Sequence, residues 1–172
     1  MNASLSKSSA ALQHVVWVAG VGVSCIDENI SPLMSAIESR ANTKGADPAG
    51  LVRTALSIKD LAKLGVIMAS DMQKILGPER VDMLGRWDAG CAAHVAGMSL
   101  DALTERITPV FVAIGELSSI NDMSQLEQIS RMTVIRQMGA FGNLAIADVL
   151  NELDSALEAA QEKIDALSGG AL

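Results

Sequence analysis

The chain has 172 residues and 17.9 kDa, of which 49% are apolar, 19% charged and 2% aromatic, with no tyrosine and nine methionines. That size holds one domain, or two very small ones, around a single core, and the apolar mass excludes a disordered or low-complexity chain. The net charge of −7 is unevenly placed: residues 1–86 carry nine Lys or Arg against eight Asp or Glu, and residues 87–172 carry four against twelve. With so few rings to stack bases and no basic stripe, nucleic-acid binding is not expected.

Leu12, Val16, Ala19, Val23, Ile26, Ile30, Leu33 and Ile37 step alternately by four and three, which is the spacing of one apolar helix face. Pro32 lacks a backbone donor, so the pattern predicts two consecutive helices, the second capped by Ser31 with Pro32 in its first turn. The Val-dense stretch from Val15 to Val18, followed by Gly20 and Gly22, leaves a buried strand as the alternative. The run from Val15 to Ile26 falls short of the roughly 20 residues of a spanning helix.

Residues 43–48 (TKGADP) form the clearest loop, with Asp47 as a cap and Pro48 opening the next helix. Ser57 with Asp60 resembles a capping box, and Ile58, Leu61, Gly65, Met68, Met72 and Ile75 then keep helical spacing until Gly77-Pro78, where the element should stop. Residues 79–96 read as a less regular helix containing Gly85 and Gly90. Ser99 is the expected cap of a run through Leu100, Leu103, Ile107, Val110, Ile114 and Leu117, with a kink or restart at Thr108-Pro109. Asn121 and Asp122 mark a turn, and Ser124 with Glu127 gives a second capping box for a helix to about Met138. Gly139 and Gly142 should loosen the chain before a last helix, in which Ile146, Leu150, Leu153, Leu157, Ala160, Ile164 and Leu167 share a face.

The expectation is an all-α bundle of six to seven helices with short loops, one domain over 1–172 with an N-terminal helical arm at about 1–42 and a bundle at about 48–168. No repeat of 20 to 50 residues is visible, which argues against a solenoid. In the last helix the flank of the apolar stripe holds Val149 and Ala156, so a wide face packed into a bundle fits better than a two-stranded coiled coil. The opposite side sets Asp148 with Glu152, Asp154 with Glu158, and Glu158 with Glu162 four residues apart, each like-charge pair costing about 0.2–0.5 kcal/mol in an isolated helix. Packing must offset that cost, and the acidic side, with Asp154 and Glu158 at its centre, is a candidate docking ridge for a basic surface. That surface would be the stretch Arg40 to Arg86 of a neighbouring copy, or another protein.

Two cysteines, Cys25 and Cys91, make no disulfide framework for a chain of this size, which points to free thiols in a reducing, cytoplasmic setting. Lys7, the apolar stretch to Val23 and then Ser24-Cys25 only loosely follow a lipoprotein cleavage pattern, so neither cleavage nor lipidation is expected. Asp88, Cys91 and His94 are metal-ligating types on one side of a helix, yet their spacing matches no compact zinc module and no metal is expected. Cys91 as a nucleophile has only His94 as an evident base. Gly20-Val21-Gly22 lacks the third glycine of a dinucleotide turn, and no lysine-bearing phosphate loop or hydrolase elbow is present, so no cofactor, small-molecule substrate or enzyme activity is expected.

What remains is association. Met68, Met72, Met132 and Met138 are adaptable side chains suited to apolar grooves, and Trp87 is a candidate anchor. The sequence therefore reads as a non-enzymatic helical adaptor, assembly subunit or chaperone-like protein that self-associates into a homo-oligomer or binds an apolar partner helix. The alternative is a membrane-associated protein touching lipid through Val15, Val16, Trp17 and Val18.

Overall fold

A computed structural model describes residues 2–42, 46–82 and 90–169, with the backbone alone for residues 2–9, 11, 12, 15, 78–82, 90–95, 160 and 167–169. These residues form an all-α bundle without strands. Four long helices carry it: α1 (residues 2–40), α2 (Pro48–Asp82), α3 (residues 90–117) and α4 (Gln125–Gly169). α1 packs chiefly on α4 and α2 chiefly on α3, while α1 and α3 meet across the centre.

Four helices form where the spacing predicts six or seven, because neither proline breaks its helix. α1 runs as Asn2–Cys25, a π-turn at Ile26–Ile30, and Ser31–Arg40; α3 runs as Gly90–Asp101, a π-turn at Ala102–Ile107, and Thr108–Leu117. The Ser31 N–H bonds to the Ile26 carbonyl and the Thr108 N–H to the Leu103 carbonyl, each five residues back. One extra residue is thus held in the turn before each proline, where a ring without a donor could not have continued the ordinary ladder. Ser31, with φ −56° and ψ −45°, is a helical residue and not a cap. The bulge also re-aims the face. Gly22, Ile26, Ile30 and Met34 are all buried at successive steps of four, a spacing that would drift about 40° per step round a plain α-helix. The extra residue takes up that drift, so Met34 rather than Leu33 enters the core, and Phe111 joins Val110 there.

Other expected breaks are absent for tertiary reasons. α2 passes through Gly77-Pro78 to Asp82, with Leu76 fully buried just before them. Ser57 lies inside α2, where its Oγ accepts from Arg40 Nη1, and Ser99 is wholly buried within α3. Gly139 and Gly142 sit inside an unbroken α4 because α1 presses there: a Cβ on Gly139 would lie 3.1 Å from Glu38 Cα, and one on Gly142 2.7 Å from Met34 Sδ. The local caps do form. Gly50 N–H donates to Asp47 Oδ1 at 2.6 Å, and in the box at the start of α4 the Ser124 N–H donates to Glu127 Oε2 at 2.9 Å while Glu127 N–H reaches Ser124 Oγ at 3.4 Å.

These details recur at a constant offset. Adding 77 to a residue number carries the first helical pair, α1 and α2, onto the second, α3 and α4. Between 18–37 and 95–114, eight of the twenty positions are identical: Val18, Ala19, Gly20, Glu28, Ile30, Pro32, Ala36 and Ile37 match Val95, Ala96, Gly97, Glu105, Ile107, Pro109, Ala113 and Ile114. Both π-turns, both caps and both helix ends obey the offset; Ala41 N–H bonds to the Ile37 carbonyl as Ser118 N–H bonds to the Ile114 carbonyl. Buried positions of α2 (Leu51, Ala55, Ile58, Ala62, Ala69, Leu76) have buried counterparts in α4 (Gln128, Met132, Ile135, Gly139, Ile146, Leu153). Contacts between the pairs are reciprocal: Gly65 abuts Phe111 and Gly142 abuts Met34, the counterpart of Phe111. Gly22 faces its own counterpart Ser99, whose Oγ would lie 2.7 Å from an added Cβ. Such exchange of partners is the mark of a twofold relation, with its axis passing between Gly22 and Ser99. The chain is an internally duplicated helical hairpin whose two copies interlock.

Two outcomes follow. Gly65→Ala drives a methyl to 2.5 Å from the rigid Phe111 ring and should cost about 1–3 kcal/mol of unfolding free energy in urea, while Gly142→Ala, facing the flexible Met34 thioether, should cost less. Ser124 bonds hold the Glu127 carboxyl below its ordinary value of 4.5, so this cap supports the fold fully above that range and loses its contribution as pH falls through the lowered value. Thermal melts over a falling pH series should show Ser124→Ala lowering the Tm by less in acid than at pH 7, the remaining loss being that of the pH-independent bond from Glu127 N–H to Ser124 Oγ.

Candidate interaction surface

The duplication separates what α2 and α4 bury from what they present. On the outward side of each, at matching places, stands an apolar pair three residues apart: Leu64 and Ile67 on α2, Phe141 and Leu144 on α4. Ile67 is 57% exposed, Phe141 63% and Leu144 67%, unusual for side chains of this size in a bundle with a complete core. Leu56 on α2 and Leu126, Ile129 and Val134 on α4 extend these faces.

Charge divides the two faces. The exposed bases Arg53, Lys63 and Lys74 and the half-buried Lys59 stand on α2 with Asp60 and Asp71. The stretch Ala145 to Leu167 on α4 has six acids and Lys163 as its only base. Its Glu152 reaches Arg106 of α3 at 3.4 Å, a half-exposed pair that water screens. Lys59 Nζ donates to Ser119 Oγ at 3.1 Å.

Divergence between the copies has also opened a cleft. Where α1 meets α4, Ser35 Oγ donates to Asn143 Oδ1 at 3.2 Å and Asn143 Nδ2 donates to Glu38 Oε2 at 2.6 Å, a polar seam that closes the joint. The matching positions between α3 and α2 hold Val112, Val66 and Gly115, which make no such bonds and remove the bulk of Glu38. There lies a cleft of about 480 Å³ lined by Ala62, Val66, Ile67, Phe111 and Gly115, with Lys59 and Lys63 beside them. A larger groove of about 840 Å³ runs between α3 and α4, with Pro109, Phe141 and Leu144 as apolar lining and Glu105, Asp148 and Glu152 as its acids.

The residues singled out from sequence are distributed as follows. Met72 and Met132 are buried and Met68 and Met138 half-buried. Asp154 and Glu158 are exposed on α4. Trp87 and Asp88, and the side chains of Cys91 and His94, lie outside the described residues. Val18 is fully buried, Val16 half-buried and Trp17 half-exposed with its ring stacked on His14 at 5.5 Å, while the side chain of Val15 lies outside the described residues. Among the described residues no helix is long and apolar enough to cross a membrane. Leu64, Ile67, Phe141 and Leu144 escaped the sequence reading, although each falls off the core spacing of its own helix, and that is the signal that would have found them.

Comparison with family models, with curated proteins and with solved structures finds no match to this chain. Cys25 is half-buried and burial pushes its thiol above the ordinary value, leaving less thiolate at a given pH. In a Cys91→Ser background, Cys25 should therefore react with iodoacetamide at pH 8 more slowly than free cysteine, and unfolding in urea should abolish the difference.

Proposed function

We propose that this protein is a non-enzymatic helical assembly subunit or adaptor of the cytoplasm, which self-associates or holds an apolar helix of a partner on the outer faces of α2 and α4. One observation carries the reading. Two copies of a helical hairpin that differ at most surface positions both keep a large apolar pair outward at the same place, Leu64 with Ile67 and Phe141 with Leu144. The core does not need these side chains, and exposing them to water is unfavourable by about 25 cal/mol per Å² of apolar surface. A partner surface that removes them from water supplies the reason for keeping them.

Contact with lipid through Val15 to Val18 has less support. Val18, Ala19 and Ile26 are in the core beside α3 and α4, so inserting that stretch would require opening the bundle.

Light scattering after gel filtration, across a range of concentrations in detergent-free buffer, tests the self-associating form. The expected mass exceeds 17.9 kDa and rises with concentration. Ile67→Ser with Leu144→Ser should return it to 17.9 kDa without loss of helicity.

A further inference from the structure

The two joints between the hairpins correspond residue for residue under the 77-residue offset, and one of them contains a carboxylate that the other lacks. Where α1 meets α4, Glu38 packs on Gly139, whose added Cβ would lie 3.0 Å from Glu38 Cβ, and its carboxylate accepts from Asn143 Nδ2 at 2.6 Å. Where α3 meets α2, the matching contact sets Gly115 against Ala62, and a Cβ on Gly115 would lie 3.8 Å from that of Ala62, an ordinary packing distance. The side chain of Glu38 has no equivalent there, and the cleft of about 480 Å³ takes its place. That volume falls within the range of about 300–1,000 Å³ usual for small-molecule sites. We propose that this cleft binds a medium-chain aliphatic carboxylate, with its head at Lys59 and Lys63 and its chain along Val66, Phe111 and Val112 toward Ile67.

Charge supports an anionic head. Lys59 and Lys63, one turn apart on α2, both line the cleft, whereas the other joint has Arg136 and Ala140 at these positions. The joint with its own carboxylate therefore carries one base there, and the joint without it carries two. Ser119 Oγ takes one of the three protons of the Lys59 ammonium at 3.1 Å, which leaves two for an incoming anion. Glu116 is the one acid among the lining residues, so the bases are in excess.

The change of polarity along the cleft supports an alkyl chain. Lys59, Lys63 and Ser119 hold one end of it. Toward the other end, Asn143 and Ser35 of the closed joint are replaced by Val66 and Val112, and the wholly buried Phe111 ring lies beneath them. From Lys59 to Ile67 α2 rises about 12 Å, so the apolar end lies two turns beyond the first base. Ile67 is 57% exposed and Val112 44%, and a chain lying on them removes both from water. A cationic head in the same place would meet like charge. The cleft is built within one copy of the chain, so the proposal stands apart from self-association.

Isothermal titration of the full chain with decanoate, decanol and decyltrimethylammonium, each below its micelle-forming concentration, tests it. Decanoate should fill a single site, and the other two should bind at least about tenfold more weakly, the loss expected when a charge-assisted bond is absent. Lys59→Gln with Lys63→Gln should weaken decanoate to the level of decanol. Val66→Asn, Val112→Ser and Gly115→Glu together write the closed joint into the open one and should abolish binding. Absence of decanoate binding, equal binding of the cation, or either set of substitutions leaving decanoate affinity unchanged overturns the proposal. Should the triple variant lose helicity by circular dichroism, Overhauser contacts in the wild type replace it. Contacts from the decanoate chain to the Val66 and Val112 methyls support the site, and contacts only elsewhere overturn it.

Discussion

The approach of glycine to a bulky side chain of the opposite hairpin sets the geometry of the whole bundle. Gly65 lets the Phe111 ring reach the backbone of α2, and Gly142 lets Met34 reach the backbone of α4. Because each hairpin supplies one glycine and one plug, neither can move away without opening both joints. The π-turns serve the same contacts. By holding one extra residue before Pro32 and Pro109, they rotate Met34 and Phe111 into positions that uninterrupted helices would give to their neighbours. Gly22 against Ser99 then permits α1 and α3 to meet on the axis itself.

An interlock of this kind leaves α2 and α4 on the outside, hardly touching each other, with long faces that none of the other described residues covers. Divergence after duplication has treated the two halves differently. One joint is sealed by Ser35, Glu38 and Asn143, and its counterpart is left as an apolar cleft beside Lys59 and Lys63. Between Arg53 and Lys74 α2 carries four bases and two acids, and between Ala145 and Leu167 α4 carries six acids and one base, while the central apolar pair is apolar in both.

Local chemistry was readable from the sequence, and contacts between distant residues were not. Asp47 and the Ser124–Glu127 box form as expected because their partners lie within one turn. The alternation of three and four residues implies helices, and the strand it leaves open at Val15 to Val18 is helix in the structure. A missing donor makes Pro32 read as a break and Pro109 as a kink or restart, but the packing on both sides of each keeps the chain helical through a π-turn. Gly139 and Gly142 read locally as weak points, whereas Glu38 and Met34, about a hundred residues earlier in the chain, account for them. The duplication has a period of 77 residues, longer than the solenoid periods sought, and its clearest trace is the pair of segments ENISP and ERITP. Leu64, Ile67, Phe141 and Leu144 depart from the core spacing of their helices, and that departure, more than methionine placement, is the sequence sign of an outward face.

The interlocked duplication is tested most directly by nuclear Overhauser contacts in the intact protein. The account predicts cross-peaks from the Phe111 ring protons to the Gly65 α-protons and from the Met34 methyl to the Gly142 α-protons in the same spectrum. The Gly65 resonances should also be displaced by the ring current. Finding only one of the two contacts, or Met34 and Phe111 against residues of their own hairpins, would contradict it.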